Sequence, residues 1–554
     1  MNLSHVEKER PCIYLRIAVL LILACFAFLV FFRLTFQPPW GDEASSLILA
    51  RNILHFGVPR AFDGTNLYFF LAGEINRNGN IWALPPLPLY FFALVFRLFG
   101  ESAGAARFFP AFFSVLSLFL AYHIVRQRTK DSLLALFTLI HLGFSVSFIL
   151  YSRSAYYYAF AILETLLLVA VLSRDPLRNR DYAALGIIYG AMIYTNLLIA
   201  CALLPALICF TAGRAWLQKK KRTALFLFTG LPAFAFIAAL PLLLSYGKTA
   251  NIRSVTRGIT YGNVVYDGCA TFCAYFRDIN KLNMLPWVVL IIMFCFFYLF
   301  RGRDQAIRHY FYYALFFIFS SVLIISFLDP YPAPWAVQSN ADIRYIVHLL
   351  PFFSFVSAGA AYYLYRHVQK IAGAIVLIVL VFTNLLSFTA PGIYLYEYCR
   401  ELVHPPASVY GKIASHIRSR LKPGAYLFVA GDDRASLQYL LPDYLFIGLL
   451  EAEDRKARRF ENYPAYLFFP PELPDCVISF GSPPRFYDPV LHRRALENTR
   501  TMLSTIKDRQ IEMEVINLQH DWRGDSMRPD LFQHAFRVQE AFSPSESTYL
   551  LYRR

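Results

Sequence analysis

An acidic pair stands directly outside the first apolar run of this chain. Residues 15–36 are almost wholly apolar, and the run Pro38-Pro39-Trp40-Gly41 then leads to Asp42 and Glu43. A carboxylate at the end of a membrane segment is costly to remove from water, so it generally has a partner or a function. The alternative is that both carboxylates only complement the first turn of the following helix, where negative charge is favoured.

Three arginines stand at the ends of other apolar runs. Arg107 follows Ala106, Arg153 lies in the run Tyr151-Ser152-Arg153-Ser154-Ala155-Tyr156, and Arg344 ends the loop before another apolar segment. An arginine donates two parallel hydrogen bonds and therefore suits a phosphate. Taken singly, each arginine is better explained as an anchor to lipid headgroups. Their joint placement around an acidic pair favours an anionic ligand and a base.

The composition is that of a helical membrane protein with many spans. The chain has 554 residues, of which 57% are hydrophobic and 17% aromatic. Repeated apolar runs of about 20 residues are long enough to cross a bilayer. The first run is too long for a cleavable signal and has no small-residue cleavage site after it. The net charge of +16 comes from basic clusters in short loops, which membrane orientation explains, so no nucleic-acid partner is expected.

The apolar pattern predicts about eleven membrane spans. They are residues 15–36, 107–125, 132–150, 155–173, 183–197, 198–213, 223–245, 285–301, 309–327, 345–365 and 371–391. The positive-inside rule assigns the intervening basic clusters to the cytoplasm. All of them lie inside if the N-terminus is cytoplasmic and the stretch 86–100, only about 15 residues long, does not cross. We therefore expect that stretch to lie as a helix at the outer interface.

This topology divides the chain into two parts. Residues 1–391 form the membrane part, whose first external loop, residues 37–106, contains juxtamembrane helices. Hydropathy falls sharply beyond Pro391, and residues 392–554 have the pattern of a soluble α/β domain on the external, periplasmic side. Strand-like runs occur there at residues 425–430, 466–469 and 476–480. The predicted fold class is therefore an α-helical polytopic membrane protein with a C-terminal soluble α/β domain.

The order of the motifs resembles a known family. The chain is similar to the C-type glycosyltransferases of the protein O-mannosyltransferase and aminoarabinose transferase superfamily in Gly41-Asp42-Glu43-Ala44, Pro85-Pro86-Leu87, Phe99-Gly100-Glu101-Ser102, Ala106-Arg107-Phe108, the run 151–156 and Arg344-Tyr345. The similarity covers roughly residues 15–390. Several motifs in the family's order are more specific than any one of them alone.

The resemblance implies an inverting glycosyltransferase. Such an enzyme moves a sugar from a polyprenyl-phosphate carrier to a lipid, polysaccharide or protein acceptor at the external membrane face. Asp42 matches the family's general base and Glu43 its neighbour, and both are carried over as catalytic residues. Arg107, Arg153 and Arg344 match basic motif positions and are carried over as residues that bind the carrier phosphate.

One position departs from the family pattern. Family members have His or Lys just before Pro-Pro-Leu, whereas this chain has Leu84. A basic group expected near the carrier phosphate is therefore absent there. The external residues that can replace it are Arg60, Arg77, Arg253, Arg257 and Arg277.

The implied chemistry requires no cofactor, because arginines can neutralise the leaving phosphate. No cysteine pair has zinc-site spacing with histidines, although the oxygens of Asp42 and Glu43 also suit a divalent metal. Two other functions remain open. A polytopic lipid or glycolipid transporter would need polar mid-membrane residues in two related halves, and the spans offer little beyond Glu164. A non-catalytic cell-envelope scaffold would tolerate the loss of Asp42.

Overall fold

The structure is a computed structural model. It describes residues 13–68, 79–81, 84, 86–174, 177–208, 225–248, 264–299, 305–328, 343–388, 394–404, 408–430, 434–451, 460–469, 472–480, 489–520 and 546–554.

A helix occupies each of the positions where the apolar pattern predicts a span. The helices of the membrane part are α1 (Ile13–Phe31), α2 (Gly41–Phe56), α3 (Pro86–Phe99), α4 (Ala103–Thr129), α5 (Ser132–Gly143), α6 (Val146–Ser152), α7 (Tyr158–Leu172), α8 (Asn179–Thr195), α9 (Leu197–Ala206), α10 (Leu231–Lys248), α11 (Val264–Lys281), α12 (Trp287–Leu299), α13 (Gln305–Leu328), α14 (Leu350–His367) and α15 (Lys370–Phe382). A 3-10 helix, Ile343–Leu349, runs directly into α14.

Four helices of the described residues are long and apolar enough to cross a membrane. They are α1, α4, α13 and the run Ile343–His367, while α5 and α6 form a fifth candidate that bends by 64°. Shorter apolar helices of 10–17 residues accompany them. The helical membrane class is therefore confirmed. The count of about eleven spans, the orientation and the interfacial place of α3 stay predictions.

Burial separates the centre of the bundle from its periphery. In the apolar 18-residue stretch of the run Ile343–His367, 94% of the residues are buried inside the protein. The corresponding share for α1 is only 22%. A helix that is enclosed on all sides is held by protein, and one that is mostly exposed and apolar faces lipid. Arg344, on the central run, is therefore held by several neighbouring elements, while α1 lies at the edge.

The C-terminal part contains a mixed sheet with helices beside it. Its helices are α16 (Tyr394–Val403), α17 (Val409–Arg420), α18 (Arg434–Leu440) and α19 (Pro489–Asp508), and its strands are β1 (Tyr426–Ala430), β2 (Leu445–Phe446), β3 (Leu450–Glu451), β4 (Phe468–Phe469), β5 (Cys476–Phe480), β6 (Met513–His520) and β7 (Glu546–Arg553).

The sheet order is β2-β1-β5-β7-β6. Strands β2, β1 and β5 are parallel, whereas β7 is antiparallel to both β5 and β6. Strands β3 and β4 form a separate parallel pair. The α/β character of the region and the strands predicted at residues 425–430 and 476–480 are confirmed. At residues 466–469 only Phe468–Phe469 form a strand, since Ala465–Leu467 is a 3-10 helix, and β6, β7 and α19 were not predicted. The boundary between residues 391 and 392 lies outside the described residues and stays a prediction.

The first external loop and the C-terminal part share one apolar core. Leu47 of α2 and Phe92 of α3 belong to the same buried cluster as Ile413, Leu441 and Ile478. Burial of such side chains contributes on the order of 1.5–3 kcal/mol each. Residues of the segment 37–106 therefore pack against the C-terminal part, and helix α2, which carries the acidic pair at its first turn, takes part in this packing.

The orientation can be tested at the two ends of α4. Ser102 and Gln127 are both exposed; Ser102 precedes the helix Ala103–Thr129 and Gln127 lies in its last turn. In right-side-out membrane vesicles of a cysteine-depleted background, we expect an impermeant maleimide to label Ser102→Cys at once and Gln127→Cys only after permeabilisation. The reverse pattern would contradict the predicted orientation.

Candidate active site

Helix α2 begins directly after the Pro-Pro-Trp run. Trp40 has an extended backbone (φ −81°, ψ 170°) and makes no side-chain cap, and the helix starts at Gly41. Asp42 and Glu43 thus lie in the first turn, where the helix dipole favours negative charge. Successive residues of a helix point about 100° apart. The two carboxylates therefore leave the helix in different directions and meet different partners.

Glu43 forms a buried, bidentate ion pair with Arg107. Arg107 Nε donates to Glu43 Oε1 and Nη2 donates to Oε2, each at 2.7 Å. The side chain of Glu43 is 1% exposed and that of Arg107 is 7% exposed. Glu43 Oε1 also accepts a hydrogen bond from the backbone N–H of Ala155 at 2.8 Å. The carboxylate is therefore enclosed and its oxygens are bonded to protein groups.

Arg107 also fastens the chain between α1 and α2. Its Nη1 donates to the carbonyls of Leu34 and Gln37 at 2.9 and 2.8 Å, and Nη2 donates to that of Pro38 at 3.3 Å. The guanidinium thus holds the connecting segment at the same time as Glu43. This arrangement joins the segment before α2, the start of α4 and the turn before α7.

Asp42 pairs with Arg344, which comes from the 3-10 helix before α14. Arg344 Nη1 donates to Asp42 Oδ2. The side chain of Arg344 is 10% exposed and that of Asp42 is 14% exposed. The Asp42 carboxylate is therefore more accessible than that of Glu43. Tyr157 Oη donates to the backbone carbonyl of Arg344 at 3.2 Å and helps to fix this segment. The structure therefore brings together Asp42 and Arg344, two of the predicted site residues.

Arg153 binds the end of α1. Its Nη1 donates to the carbonyls of Leu29, Val30 and Phe32 at 3.0, 3.0 and 2.8 Å. The last carbonyls of a helix have no partner within the helix, and a cation at that end satisfies them and complements the dipole. The guanidiniums of Arg107 and Arg153 are thus bonded to protein groups, and their role in binding the carrier phosphate stays a prediction.

A cluster of aromatic side chains borders the Asp42–Arg344 pair. Tyr156, Tyr157 and Tyr158 contact one another with ring centroids 4.7–5.1 Å apart. Trp40 meets Tyr156 edge-on at 6.3 Å, and the electrostatic interactions of Tyr156 extend to Asp42. The run of three tyrosines is visible in the sequence, but its place beside the ion pair was not predicted.

The position of the missing basic residue is apolar in its surroundings as well. Leu84 is half-buried and packs against two of the apolar clusters of the protein. Among its candidate replacements, Arg60 lies 4.9 Å over the ring of Phe56, and Arg277 donates to Asp278 at 2.9 Å. The other candidates lie outside the described residues: Arg77, Arg253 and Arg257.

Within the described residues, no group of three or more His, Cys, Asp or Glu side chains is arranged to hold a metal ion. The expectation that no cofactor is required stays a prediction.

The buried pair can be separated from an exposed one by mutation. Glu43→Gln leaves the Arg107 charge enclosed without its counter-charge, so we expect a loss of stability of about 3–5 kcal/mol. Glu101→Gln is the matched control, because Glu101 binds Arg51 through Nε at 2.6 Å but is 35% exposed, and a pair of that kind contributes about 0–1 kcal/mol. The unfolding midpoint in detergent measures both, and equal midpoints would contradict the structural role of Glu43.

Comparisons with known proteins agree with the motif order. Residues 83–243 match the family model for dolichyl-phosphate-mannose-protein mannosyltransferase. No curated protein sequence matches the chain.

Two crystal structures share the fold over almost the full chain. ArnT from Cupriavidus metallidurans bound to undecaprenyl phosphate has a TM-score of 0.53 and 15% identity, covering 96% of this chain and 97% of that one. ArnT in the apo state has a TM-score of 0.52 and 14% identity, covering 97% and 98%. The chain thus resembles the dolichyl-phosphate-mannose-protein mannosyltransferases over residues 83–243 and shares its fold with ArnT over almost its full length.

Proposed function

We propose that the protein transfers a sugar from a polyprenyl-phosphate carrier to an acceptor hydroxyl at the external membrane face. The observation that carries this proposal is the Asp42–Arg344 pair, which places a base and a cation side by side. The relative ArnT, which has the same fold, was crystallised with undecaprenyl phosphate. The acceptor class is a lipid, a polysaccharide or a protein, and the orientation has the N-terminus in the cytoplasm.

The proposed reaction is a direct displacement with inversion. Asp42 accepts the proton of the acceptor hydroxyl, and the acceptor oxygen forms a bond to the anomeric carbon of the sugar. The bond between that carbon and the phosphate oxygen breaks, and its electron pair leaves with the phosphate. The developing negative charge requires a fixed cation, since fixed charges stabilise a transition state without reorganisation.

Arg344 is the residue that we assign to the phosphate. A nearby guanidinium favours the ionised form of a carboxylate, so in the resting protein Arg344 keeps Asp42 ready to accept a proton. The planar fork of an arginine also suits a phosphate. We propose that Arg344 shares its hydrogen bonds between Asp42 and the phosphate when the donor is bound.

Glu43, Arg107 and Arg153 have a positioning role in this proposal. Their polar atoms bond to protein groups, and Glu43 is 1% exposed. They fix the first turn of α2 and the end of α1, and therefore the direction of Asp42. A fixed direction matters because a displacement of about 1 Å can cost on the order of 100-fold in rate.

The function is tested in a deletion strain. Mass spectrometry of its surface glycolipids, polysaccharides and glycoproteins should show one sugar missing from one acceptor class. The wild-type gene should restore that sugar, and the Asp42→Asn gene should not. A complete glycan profile in the deletion strain would contradict the proposal, and complementation by Asp42→Asn would favour a scaffold.

The base assignment predicts a specific kinetic loss. Asp42→Asn keeps the shape of the side chain but removes the proton acceptor, so transfer by the purified protein should fall about 10²–10⁴-fold. The unfolding midpoint is measured beside the rate, because Asp42→Asn also leaves Arg344, which is 10% exposed, without its counter-charge. Glu101→Gln is again the control, because it makes the same chemical change in an acid that pairs with Arg51. Near-normal turnover by Asp42→Asn would refute the assignment.

The phosphate assignment predicts graded behaviour at Arg344. A charge-assisted hydrogen bond contributes about 1.5–3 kcal/mol, so Arg344→Ala should lower donor-dependent transfer roughly tenfold or more. Arg344→Lys should recover only part of the rate, because lysine lacks the planar fork. Initial rates at varied donor concentration are measured for both Arg344 variants and, for comparison with Arg344→Lys, for Arg153→Lys. Equal rates for Arg344→Ala and the wild type would exclude a phosphate contact.

A further inference from the structure

The side chain of Asn66 joins the first external loop to the C-terminal sheet. It is 5% exposed, although it belongs to a loop. Asn66 Nδ2 donates to the carbonyls of Tyr444 and Pro442 at 2.8 and 3.4 Å. Asn66 Oδ1 accepts the backbone N–H of Phe446 at 2.9 Å.

These bonds imitate the pairing of a neighbouring strand. Strand β2 is at the edge of the five-stranded sheet, and residues 444 and 446 flank its first residue, Leu445. A carboxamide has the donor and acceptor of one peptide unit, and an edge strand presents such groups unpaired. The Asn66 side chain therefore acts as one peptide unit of an additional strand.

Neighbouring contacts fix the loop on both sides of Asn66. Asp63 Oδ1 accepts the backbone N–H groups of Thr65 and Asn66 at 2.8 and 2.6 Å, which sets the turn locally. Gln438 Nε2, from α18, donates to the carbonyl of Leu67 at 3.0 Å. The C-terminal part thus holds consecutive residues of the loop.

The held segment ends at the border of the candidate active site. Tyr68, two residues after Asn66, is 2% exposed, and its backbone N–H donates to Ala61 at 2.7 Å. Tyr68 belongs to the same buried apolar cluster as Ala106 and Ala155, which directly precede Arg107 and Tyr156 in the chain. A movement of residues 61–68 would therefore reach the aromatic cluster beside the base.

Helix α18 also contacts the helix that carries the acidic pair. The ring of Tyr439 lies 5.5 Å from the guanidinium carbon of Arg51 on α2. Burial, followed by the charge of Glu101, raises the pKa of Tyr439 to about 12. The hydroxyl is therefore neutral near pH 7, and the contact with Arg51 is a cation–π contact rather than an ion pair.

We propose that Asn66 is a positioning residue through which the C-terminal sheet orders residues 61–68 and, with them, the aromatic border of Asp42. The effect on transfer rests on the proposed function, whereas the ordering of the loop does not. In this arrangement the C-terminal part completes the site without contributing a group that touches the donor.

The test uses the full-length protein with Asn66→Ala and Asp475→Ala. Asp475 accepts the backbone N–H of Tyr426 at 2.8 Å and pairs with Arg553, so its loss weakens the same sheet without removing a hydrogen bond of residues 61–68. Hydrogen–deuterium exchange at residues 61–68 and at Phe446, and the kcat and KM for donor-dependent transfer, are measured for both.

Asn66→Ala should raise exchange at those residues about tenfold and lower kcat by a similar factor with little change in KM, because buried partners lose their hydrogen bonds. Asp475→Ala should raise exchange in β1 and β7 and leave kcat near the wild-type value. Unchanged exchange in Asn66→Ala, or the same loss of kcat in both variants, would overturn the proposal. A wild-type protein without transfer activity would contradict the proposed function alone, and the exchange rates would still decide the ordering role of Asn66.

Discussion

The enclosed pair of Glu43 and Arg107 is the interaction on which the arrangement around the first turn of α2 depends. Removing two charges from water is unfavourable unless each finds several good partners. Here the carboxylate accepts three hydrogen bonds, and the guanidinium satisfies three backbone carbonyls besides. These bonds offset the cost of burying the two charges. The pair thus forms a joint between four parts of the chain, which are the segment before α2, the first turn of α2, the start of α4 and the turn before α7.

The joint explains how two adjacent acids come to have different environments. Glu43 faces inward and is fully occupied, whereas Asp42 leaves the helix at another angle and meets Arg344 at a more accessible place. The helix repeat is what separates them. The buried Glu43 pair fixes the first turn of α2, and the more accessible Asp42 is therefore held in a constant direction. A constant direction favours proton transfer, because the donor and the acceptor of the proton must be aligned.

The sequence predicted the elements better than their contacts. The apolar runs predicted the positions of α1, α4 and the run Ile343–His367, because hydropathy indicates where a chain can enter and leave a membrane. Which carboxylate meets which arginine depends on helix rotation and on packing between segments far apart in sequence, and no local pattern carries that information. The partners of Arg107 and Arg153 could therefore not be predicted from their own surroundings.

The C-terminal part shows the same division. Strands β1 and β5 are short runs of mainly apolar residues and were predicted from that pattern. Strand β6, with the sequence Met-Glu-Val-Ile-Asn-Leu-Gln-His, mixes polar and apolar residues because it pairs on one side only, at the edge. The role of Asn66 could not be predicted from the sequence either, since an asparagine in a loop is ordinarily exposed.

The spacing of the two ion pairs along the chain sets an order for biosynthesis. Arg107 follows Glu43 by 64 residues, whereas Arg344 follows Asp42 by 302. Chains are made and folded from the N-terminus, so the inner joint can close while most of the membrane part is still unsynthesised. The Asp42 carboxylate acquires Arg344 only when the central helix arrives. A nascent or truncated chain therefore holds the Asp42 carboxylate in place but lacks Arg344, so the pair is complete only when most of the bundle has been synthesised.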